Sequence, residues 1–335
     1  MTENVDFDAI VIGGGIMGTC SAYHLAKRGS KTLMLEQFEY GHKNGSSHGA
    51  SRITRIVHTS PMYLKLAQAA YNEWNELSQS SKTTIFEPSG LLWLDDEKNT
   101  RQRHEFLSKH SIEHELLHGP SINERFQHLN YNHEWYAIYD PKAGVLLADK
   151  CQEAAQKQFM NNGGSAHFSE KVLNITPGKI IKVETDKNEY KCNRLIVTAG
   201  PWLSKMLPDL IVKTTPMLVG VNFWKITSNH ELYKAGNKSP CLMISEDEKD
   251  FYVIPEVDHP NLIKVSEDQN CILDRHPQHG NIVIGGGFSG TGYKFAILFG
   301  KLLSKMALEE DVSEFELDQL KADRKIEPLD KMIHY

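Results

Sequence analysis

The residues with the clearest chemistry are the three glycines of Gly13-x-Gly15-x-x-Gly18, which follow the apolar run Ala9-Ile10-Val11-Ile12. In this pattern the first glycine permits a tight turn, the second lets the backbone approach a pyrophosphate, and the third lets the next helix lie against the strand. Glu36 lies 23 residues after Gly13, where an acid commonly binds ribose hydroxyl groups and disfavours the 2′-phosphate of NADP. The motif predicts a dinucleotide cofactor, the alternative being a chance glycine cluster.

A second apolar run with a glycine turn lies near the other end of the chain. Residues 281–290 read NIVIGGGFSG and nearly repeat residues 8–18, DAIVIGGGIMG. A nicotinamide enzyme has no obvious need for this repeat, whereas a flavin enzyme can fold its C-terminal segment back onto the cofactor. We expect the helix after Gly290 to direct its N-terminal N–H groups at the flavin, where they stabilise the negative charge of reduction. The alternative is a structural turn that binds no ligand.

The elements that position these motifs follow from the hydrophobic pattern. A helix should run from about Ile16 to Arg28 and end at Gly29, before a strand over residues 32–35. Its buried side should include Met17, Cys20, Leu25 and Ala26. Farther along, the pattern predicts a functional loop over 39–60, helices over 61–80 and 149–161, β segments over 86–95, 131–147 and 171–191, a buried strand over 194–200, a strand-rich stretch over 214–264, and a strand, turn and helix over 281–308.

The order of these segments is α/β, mixed β, α/β, mixed β, α/β. It predicts an α/β fold in which a Rossmann-like FAD-binding domain is interleaved with a β-rich substrate domain. The predicted FAD-binding domain comprises residues 1–88, 143–205 and 271–335, and the substrate domain comprises 89–142 and 206–270, shortened near 265–270.

Composition excludes several classes of partner. The 335 residues carry a net charge of −6 and no basic stripe, so we expect no nucleic-acid partner. The N-terminal residues lack the apolar core of a secretory signal, and no apolar run approaches the roughly 20 residues that span a bilayer. The five cysteines are scattered without C-x-x-C spacing, which argues against zinc and disulfides and favours a reducing, intracellular setting. They are Cys20, Cys151, Cys192, Cys241 and Cys271.

Longer stretches resemble the monomeric sarcosine oxidase and L-pipecolate oxidase family of FAD-dependent amine oxidases, which has the amino-acid-oxidase fold. The resemblance extends from residue 8 to about residue 308, and its most specific stretch is LDRHPQHGNIVIGGGFSGTGYKF. The other stretches are VIGGGIMGTCSAYHLAKRG, NGSSHGASRITR, PSGLLWL, AGVLLADKC and LIVTAGPWLSKML.

This resemblance implies a reaction and a setting. The family oxidises N-methyl or cyclic secondary amino acids at the carbon beside nitrogen, and oxygen takes the electrons to give hydrogen peroxide. The expected substrates are sarcosine, L-pipecolate or L-proline, the expected cofactor is FAD, and the expected state is a monomer. A peroxisomal location is also implied, with the cytoplasm as the alternative because the ending MIHY is not a recognisable peroxisomal signal.

The resemblance further implies roles for the basic residues near the two glycine turns. Arg55 and Lys294 would bind the substrate carboxylate, Arg55 bidentately and Lys294 as a point charge. Arg52 would lie against the flavin ring, with His48 close to the flavin. The alternatives are a solvated basic loop for the two arginines and a capping or packing histidine.

Two residues of the strand-rich stretch match family positions. Tyr252 resembles the active-site tyrosine, and Lys264 resembles the lysine that lies over the flavin and stabilises developing superoxide. The alternative for Lys264 is an ordinary strand lysine. The predicted cofactor-binding residues are Gly13, Gly15, Ile16, Met17, Gly18, Glu36, Ser51, Arg52, Gly200, Trp202, Gly287, Phe288, Gly290 and Lys294.

The chain departs from the family between Lys264 and Cys271, where it reads only VSEDQN. The family carries a longer segment there, with a histidine-bearing strand, helical turns and a C-M-Y-T motif whose cysteine holds the flavin covalently. Cys271 does not replace that cysteine, since the alignment through ILDRHP places it several residues later. We therefore predict FAD without a covalent bond. Two alternatives to the oxidase remain: an inactive or weakly active truncated flavoprotein, and an NAD-dependent dehydrogenase.

Overall fold

A computed structural model describes residues 4–210, 220–236, 239–246, 249–266, 272–286, 292–315 and 317–321. The helices are α1 (Ile16–Lys27), α2 (Pro61–Ser81), α3 (Glu97–Lys109), α4 (Gly119–Arg125), α5 (Ala148–Asn161), α6 (Leu203–Met206) and α7 (Gly292–Ala307), with short 3-10 helices at Gly200–Trp202, His230–Tyr233 and Leu317–Leu320.

The strands form two large sheets and one small sheet. They are β1 (Phe7–Ile12), β2 (Thr32–Leu35), β3 (Ser51–Thr54), β4 (Phe86–Pro88), β5 (Leu91–Asp95), β6 (Glu115–His118), β7 (Tyr136–Asp140), β8 (Gly144–Leu147), β9 (Ser165–His167), β10 (Val172–Thr176), β11 (Ile181–Thr185), β12 (Glu189–Val197), β13 (Asn222–Lys225), β14 (Cys241–Glu246), β15 (Lys249–Ile254), β16 (Leu262–Ser266), β17 (Ile272–Arg275) and β18 (Ile282–Gly286).

The first sheet is the Rossmann-like layer that the first glycine motif predicts. Its order is β10-β11-β12-β1-β2-β9, and β18 joins it by pairing with the second half of β12. The pairs β9–β2, β2–β1, β1–β12 and β12–β18 are parallel, and β17 is antiparallel to β18. Since carboxyl ends of parallel strands meet at one edge of a sheet, β1, β2, β12 and β18 all end there.

The second sheet has the order β13-β16-β15-β14-β5-β7-β6, and β3-β8-β4 form the small sheet. The second sheet therefore draws its strands from residues 91–140 and 222–266, between the segments that build the first sheet. Interleaved strand-rich segments of this kind are what the sequence predicts. The assignment of residue ranges to two domains remains a prediction.

Helix α1 shows how tightly the first layer is packed. It begins and ends within one residue of the predicted bounds, and Gly29 follows with a φ of +79°. The predicted buried side is too narrow, because every residue from Ile16 to Ala26 is buried. The sheet, α5 and α7 surround the helix. On α7, a Cβ built at Gly300 would lie 2.6 Å from the Cβ of Cys20.

Helices α2 and α5 confirm the predictions over 61–80 and 149–161, whereas α3 and α4 lie in a stretch to which the sequence analysis assigns no helix. Helix α3 buries only Thr100 and Leu107, so its apolar spacing is weak. The stronger signal is its N-cap, since the Asp96 side chain accepts a hydrogen bond from the Asn99 N–H at 2.7 Å. Within the described residues no helix is both long and apolar enough to cross a bilayer.

We predict that Gly300→Ala destabilises the protein. Alanine has a higher helix propensity than glycine by about 1 kcal/mol. The added methyl group, however, would overlap Cys20 between two helices, and overpacking costs about 1–3 kcal/mol. The net loss should appear as a lower urea midpoint with an unchanged m-value. The control is Gly280→Ala, where no described atom lies within 4 Å of the added Cβ; equal stability of the two variants would contradict the packing account.

Candidate functional site

The first glycine turn is held at the carboxyl edge of the first sheet. The Gly13 N–H donates to the Leu35 carbonyl at 2.8 Å, and the Thr198 N–H donates to the Ile12 carbonyl at 2.9 Å. Gly13 has a φ of +98°, and a Cβ there would lie 2.5 Å from the Thr198 carbonyl oxygen. A Cβ on Gly18 would lie 1.8 Å from the Gly13 carbonyl oxygen. Both positions therefore require glycine for the turn and for the close approach of α1.

The N-terminus of α1 presents backbone donors at this edge. Its N-cap is Gly15, and within the described part of the chain the first turn carries no acidic residue. The Ile16 N–H donates to the Ser47 hydroxyl at 3.0 Å, and a Cβ on Gly15 would lie 2.9 Å from that oxygen. Backbone N–H groups and the helix dipole favour phosphate oxygens, so these residues fit a dinucleotide pyrophosphate.

Glu36 lies beside this turn and is buried. One carboxylate oxygen accepts a hydrogen bond from the Gly14 N–H at 2.7 Å, and the other accepts from the Phe38 N–H at 3.0 Å. The acid thus fixes the glycine turn against the end of β2, and ribose binding remains a prediction for it. Gly200 and Trp202 follow β12 at the same edge, where the Trp202 ring lies 5.6 Å from the Phe38 ring.

Arg52 connects the loop after β2 to the start of α7. Its guanidinium donates to the carbonyl groups of Ser46 at 2.8 Å, His48 at 2.9 Å and Ser51 at 2.7 Å. It also lies 5.1 Å from the centre of the Tyr293 ring. His48 is exposed, and its Nδ1 lies 2.6 Å from the Gly45 carbonyl oxygen. Arg52 is therefore built into the fold of the loop, unlike a solvated basic side chain.

The register of the second sheet places Tyr252 and Lys264 on one face. Tyr252 is paired with Met243, which is paired with Trp93, and Lys264 is paired with Ile254. Directly paired residues share a face, as do residues two apart along a strand. The predicted tyrosine and lysine therefore belong to one row of side chains with the buried Trp93 and Met243.

Lys264 reaches from this face to Ser51, the first residue of β3. Its Nζ donates to the carbonyl and hydroxyl oxygens of Ser51 at 3.1 and 3.2 Å, and it lies 3.6 Å from Oδ2 of Asp258. Burial lowers the pKa of the Lys264 ammonium, and the positive charge of Arg52 lowers it further, whereas Asp258 raises it. An ordinary strand lysine would keep its charge in water, so the burial of Lys264 makes it a candidate for a functional role.

Arg55 is enclosed by the same face. Its guanidinium lies 4.7 Å from the centre of the Trp93 ring, and one terminal nitrogen contacts the Met243 sulfur. The side chain is 4% exposed, and its Nε has no hydrogen-bond partner among the described residues. A buried donor of this kind requires a partner, and a carboxylate suits the planar fork of a guanidinium.

Asp140 positions the segment that carries Arg55. Its carboxylate accepts hydrogen bonds from the N–H groups of Ile56 at 2.8 Å, Val57 at 2.9 Å and Lys142 at 3.0 Å. Burial raises the pKa of the Asp140 carboxyl, and the three N–H groups and Arg55 offset part of that rise. The sequence analysis does not identify Asp140, since a lone Asp in a turn has no distinguishing pattern.

Lys294 lies in the first turn of α7 and is 6% exposed. The Trp74 indole N–H donates to its carbonyl at 2.9 Å, which attaches this turn to α2. Burial lowers the pKa of His58, and the positive charges of Arg55 and Lys294 lower it further. Both cations therefore act on one buried histidine, and we call Arg55 and Lys294 the cation cluster.

Of the other predicted site residues, some lie within the part of the chain that the structure describes and some lie outside it. Ser51, Ile16 and Met17 are buried at the same edge. Gly287, Phe288 and Gly290 lie outside the described residues. No group of three or more His, Cys, Asp or Glu side chains among the described residues could hold a metal ion. A cavity of about 480 Å³ lies elsewhere, at the start of β1 beside Arg28 and Arg194.

Comparison with known proteins gives a consistent picture. The model of a family described as FAD dependent oxidoreductase, DAO, matches residues 8–268. A putative sarcosine oxidase of Caenorhabditis elegans is 32% identical over 380 residues, covering 95% of this chain and 99% of the relative. A peroxisomal sarcosine oxidase of Mus musculus is 30% identical over 370 residues, covering 92% and 94%. Both alignments are longer than the 335-residue chain, so each relative has residues without a counterpart here.

A solved structure shows the same fold. Glycine oxidase from Geobacillus kaustophilus matches with a TM-score of 0.77 at 15% identity, covering 97% of this chain and 100% of that chain. The α/β arrangement predicted from the sequence is confirmed by this likeness and by the family match.

We predict that the free energy of unfolding falls as the pH is lowered from about 7.5 to about 5.5. Burial and neighbouring cations hold the pKa of both His24 and His58 below the value of 6.5 expected in the unfolded chain. Below that pH the unfolded chain binds protons that the folded chain does not, so stability is lost at up to about 1.4 kcal/mol per pH unit and histidine.

Urea titrations across this range would measure the slope. His58→Gln should reduce it, whereas His133→Gln, at an exposed position, should leave it unchanged. An unaltered slope in His58→Gln would show that His58 is not buried in its neutral form.

Proposed function

This chain belongs to the family of FAD-dependent oxidoreductases, and we propose that it oxidises the carbon–nitrogen bond of a small secondary amino acid. Oxygen is the electron acceptor, and the products are hydrogen peroxide and an imine that water hydrolyses. The observation that carries the proposal is the burial of two cations, Arg55 and Lys294, whose charges both act on the buried His58. Arg55 also contacts Trp93 and Met243, which share a sheet face with Tyr252 and Lys264.

The two cations define the substrate's anionic group. Arg55 and Lys294 are two buried cations, and a site with two fixed cations favours an anion. The guanidinium of Arg55 can bind a carboxylate bidentately, and Lys294 can add a point charge. The same charges disfavour a protonated amine nearby, so the amino acid should bind with its amine as the free base.

FAD supplies the redox chemistry when bound, because it accepts a hydride from the carbon beside nitrogen and passes the electrons to oxygen. The protein's own contribution is to bind and orient it. The turn from Gly13 to Gly18 would hold the pyrophosphate, and Glu36 the ribose. Ser51, Arg52, Gly200 and Trp202 would line the cofactor, as would Gly287, Phe288 and Gly290 outside the described residues.

Lys264 is proposed to stabilise negative charge that develops on oxygen. It is buried, it is fixed by Ser51, and it lies within 3.6 Å of the carboxylate of Asp258. A preorganised cation in a water-poor site stabilises a developing anion more strongly than the same cation in water. Tyr252, two residues from the partner of Lys264, would contact the substrate on the same face.

We also propose that the FAD is held without a covalent bond. Among the described residues the cysteines are Cys20, Cys151, Cys192 and Cys241, and all four are buried free thiols. Burial raises the pKa of each thiol, so none of the four supplies the reactive thiolate that attachment needs.

A second candidate is a truncated flavoprotein with little or no turnover. It is favoured by alignments to relatives that extend beyond this chain's length. The proposed shortening after Lys264 would remove part of the site wall and leave cofactor binding. The nicotinamide alternative receives no support, since the family match is to FAD-dependent enzymes.

The names of the relatives support two further proposals, one on location and one on oligomeric state. The relatives of Mus musculus and Homo sapiens are named peroxisomal, which supports a peroxisomal location. A relative from Bacillus is named monomeric, which supports a monomer.

The direct test is a peroxide assay on the FAD-loaded protein with sarcosine, L-pipecolate and L-proline. We predict peroxide with at least one of them. Arg55→Lys should then raise KM about tenfold or more, because a bidentate, charge-assisted contact is lost. Arg101→Lys, at an exposed pair with Glu97, is the matched control. FAD binding without peroxide for any substrate would favour the truncated flavoprotein.

We predict that Lys264→Met lowers kcat/KM for oxygen by about 100-fold or more, the scale of losing one preorganised group at a developing anion. The KM for the amino acid should change little, because Lys264 contacts the oxygen side of the reaction. Lys225→Met, an exposed change on the neighbouring strand β13, controls for loss of charge from the sheet. An unchanged oxygen dependence would assign Lys264 a structural role.

A further inference from the structure

We propose that His58 is a third substrate-binding residue, which donates a hydrogen bond from Nε2 to the carboxylate held by Arg55 and Lys294. The inference rests on the proposed function and adds a residue for which the sequence analysis has no signal.

The ring of His58 is fixed in place and buried. It is stacked against Tyr63 at 5.6 Å between ring centres and lies 5.7 Å from the ring of Phe295, the neighbour of Lys294. Only 4% of the residue is exposed. Its Nε2 is buried and has no hydrogen-bond partner among the described residues. An unsatisfied buried nitrogen is unfavourable, so a ligand atom that accepts its hydrogen bond stabilises the complex.

The charges around His58 define the ligand. The positive groups that act on it are Arg55 and Lys294, and the phenol of Tyr63 stacks on it from α2. Asp140 acts on Arg55, and its carboxylate already accepts hydrogen bonds from three backbone N–H groups. The cation cluster therefore favours an anion, and Nε2 of His58 and Nε of Arg55 are the two orphaned polar atoms around it.

The neutral ring suits a donor role. A neutral imidazole carries one N–H, which can be directed at a carboxylate oxygen without adding a third buried positive charge. Hydrogen bonds to an ionised acceptor are about twice as strong as neutral ones. A carboxylate has about four lone-pair sites, enough for Arg55, Lys294 and His58 together.

The backbone preorganises Arg55 and His58 as a unit. They are separated only by Ile56 and Val57, whose N–H groups both donate to the Asp140 carboxylate. One buried acid therefore fixes the relative position of both side chains. The segment is already ordered before a ligand binds, which favours binding.

A bound anion would also change the protonation of His58. It would offset the repulsion from Arg55 and Lys294 and so raise the pKa of the imidazole. At about pH 7 the ring binds the carboxylate as a neutral donor. As the pH falls toward about 6, the bound anion also permits the protonated ring, which still donates from Nε2, so affinity for a carboxylate ligand should increase with uptake of a proton on binding.

The test uses the FAD-loaded protein and pyrrole-2-carboxylate, a planar analogue of proline with no oxidisable C–H beside nitrogen. Its Kd is measured by the change in flavin absorbance. His58→Phe keeps the stacking and should raise the Kd about tenfold or more, the cost of a hydrogen bond to a charged group. His58→Gln keeps a donor and should raise it only about threefold. His128→Gln, a half-buried histidine bonded to Ser239, should leave it unchanged.

The pH dependence of the Kd is a second readout. It would not change on substitution if His58 only packed against its neighbours. The Kd of the wild type should fall between about pH 7 and about pH 6, and that of His58→Gln should not. Equal Kd values for the wild type and His58→Phe, or equal pH dependence in the wild type and His58→Gln, would overturn the assignment of His58 alone. If the wild type binds FAD but neither binds the analogue nor makes peroxide, the proposed function falls and this inference with it.

Discussion

The parallel pairing of β12 with β1 on one side and β18 on the other is the constraint on which the site depends. Ile12 is paired with Val197, and Val197 with Ile284, so strands from the start, middle and end of the chain align in one row. This alignment brings the first glycine turn and the first turn of α7 to the same sheet edge. Without it Lys294 would have no fixed relation to Arg52 or Arg55, which lie far away in the sequence.

Burial of positive charge is the second physical theme of the site. Arg55, Lys264 and Lys294 are each nearly inaccessible to water, and Asp140 acts on Arg55 while Asp258 lies beside Lys264. Buried cations favour the binding of anionic groups. The proposed binding of a substrate carboxylate and the proposed stabilisation of charge on oxygen therefore both depend on buried positive charge.

Much of the fold can be predicted from the sequence because the local signals agree with one another. The run Ala9–Ile12, the glycine spacing and Glu36 together predict strand, turn, helix and strand, and α1 occurs where that pattern places it. Helices α3 and α4 are missed because their apolar spacing is weak and the surrounding segments are strand-rich. A cap such as Asp96 is too short a signal to outweigh that context.

The candidate site is harder to predict from the sequence, because its supporting residues are defined by contacts between distant segments. Asp140 acts through backbone N–H groups 83 and 84 positions away, and Asp258 matters only because β16 places Lys264 beside it. His58 has no motif at all, and the role proposed for it follows from the neighbouring rings of Tyr63 and Phe295 and from two nearby cations. Such roles arise from tertiary packing and cannot be inferred from spacing along the chain.

The central claim is that the chain binds FAD at the edge formed by β1, β2, β12 and β18, without a covalent bond. The most direct measurement is the visible absorbance spectrum of the FAD-loaded protein before and after acid precipitation. The account predicts a flavin spectrum bound to the native protein and its complete release into the acid supernatant. Flavin that stays with the precipitated protein would contradict the non-covalent assignment, and failure to acquire any flavin spectrum would contradict the site itself.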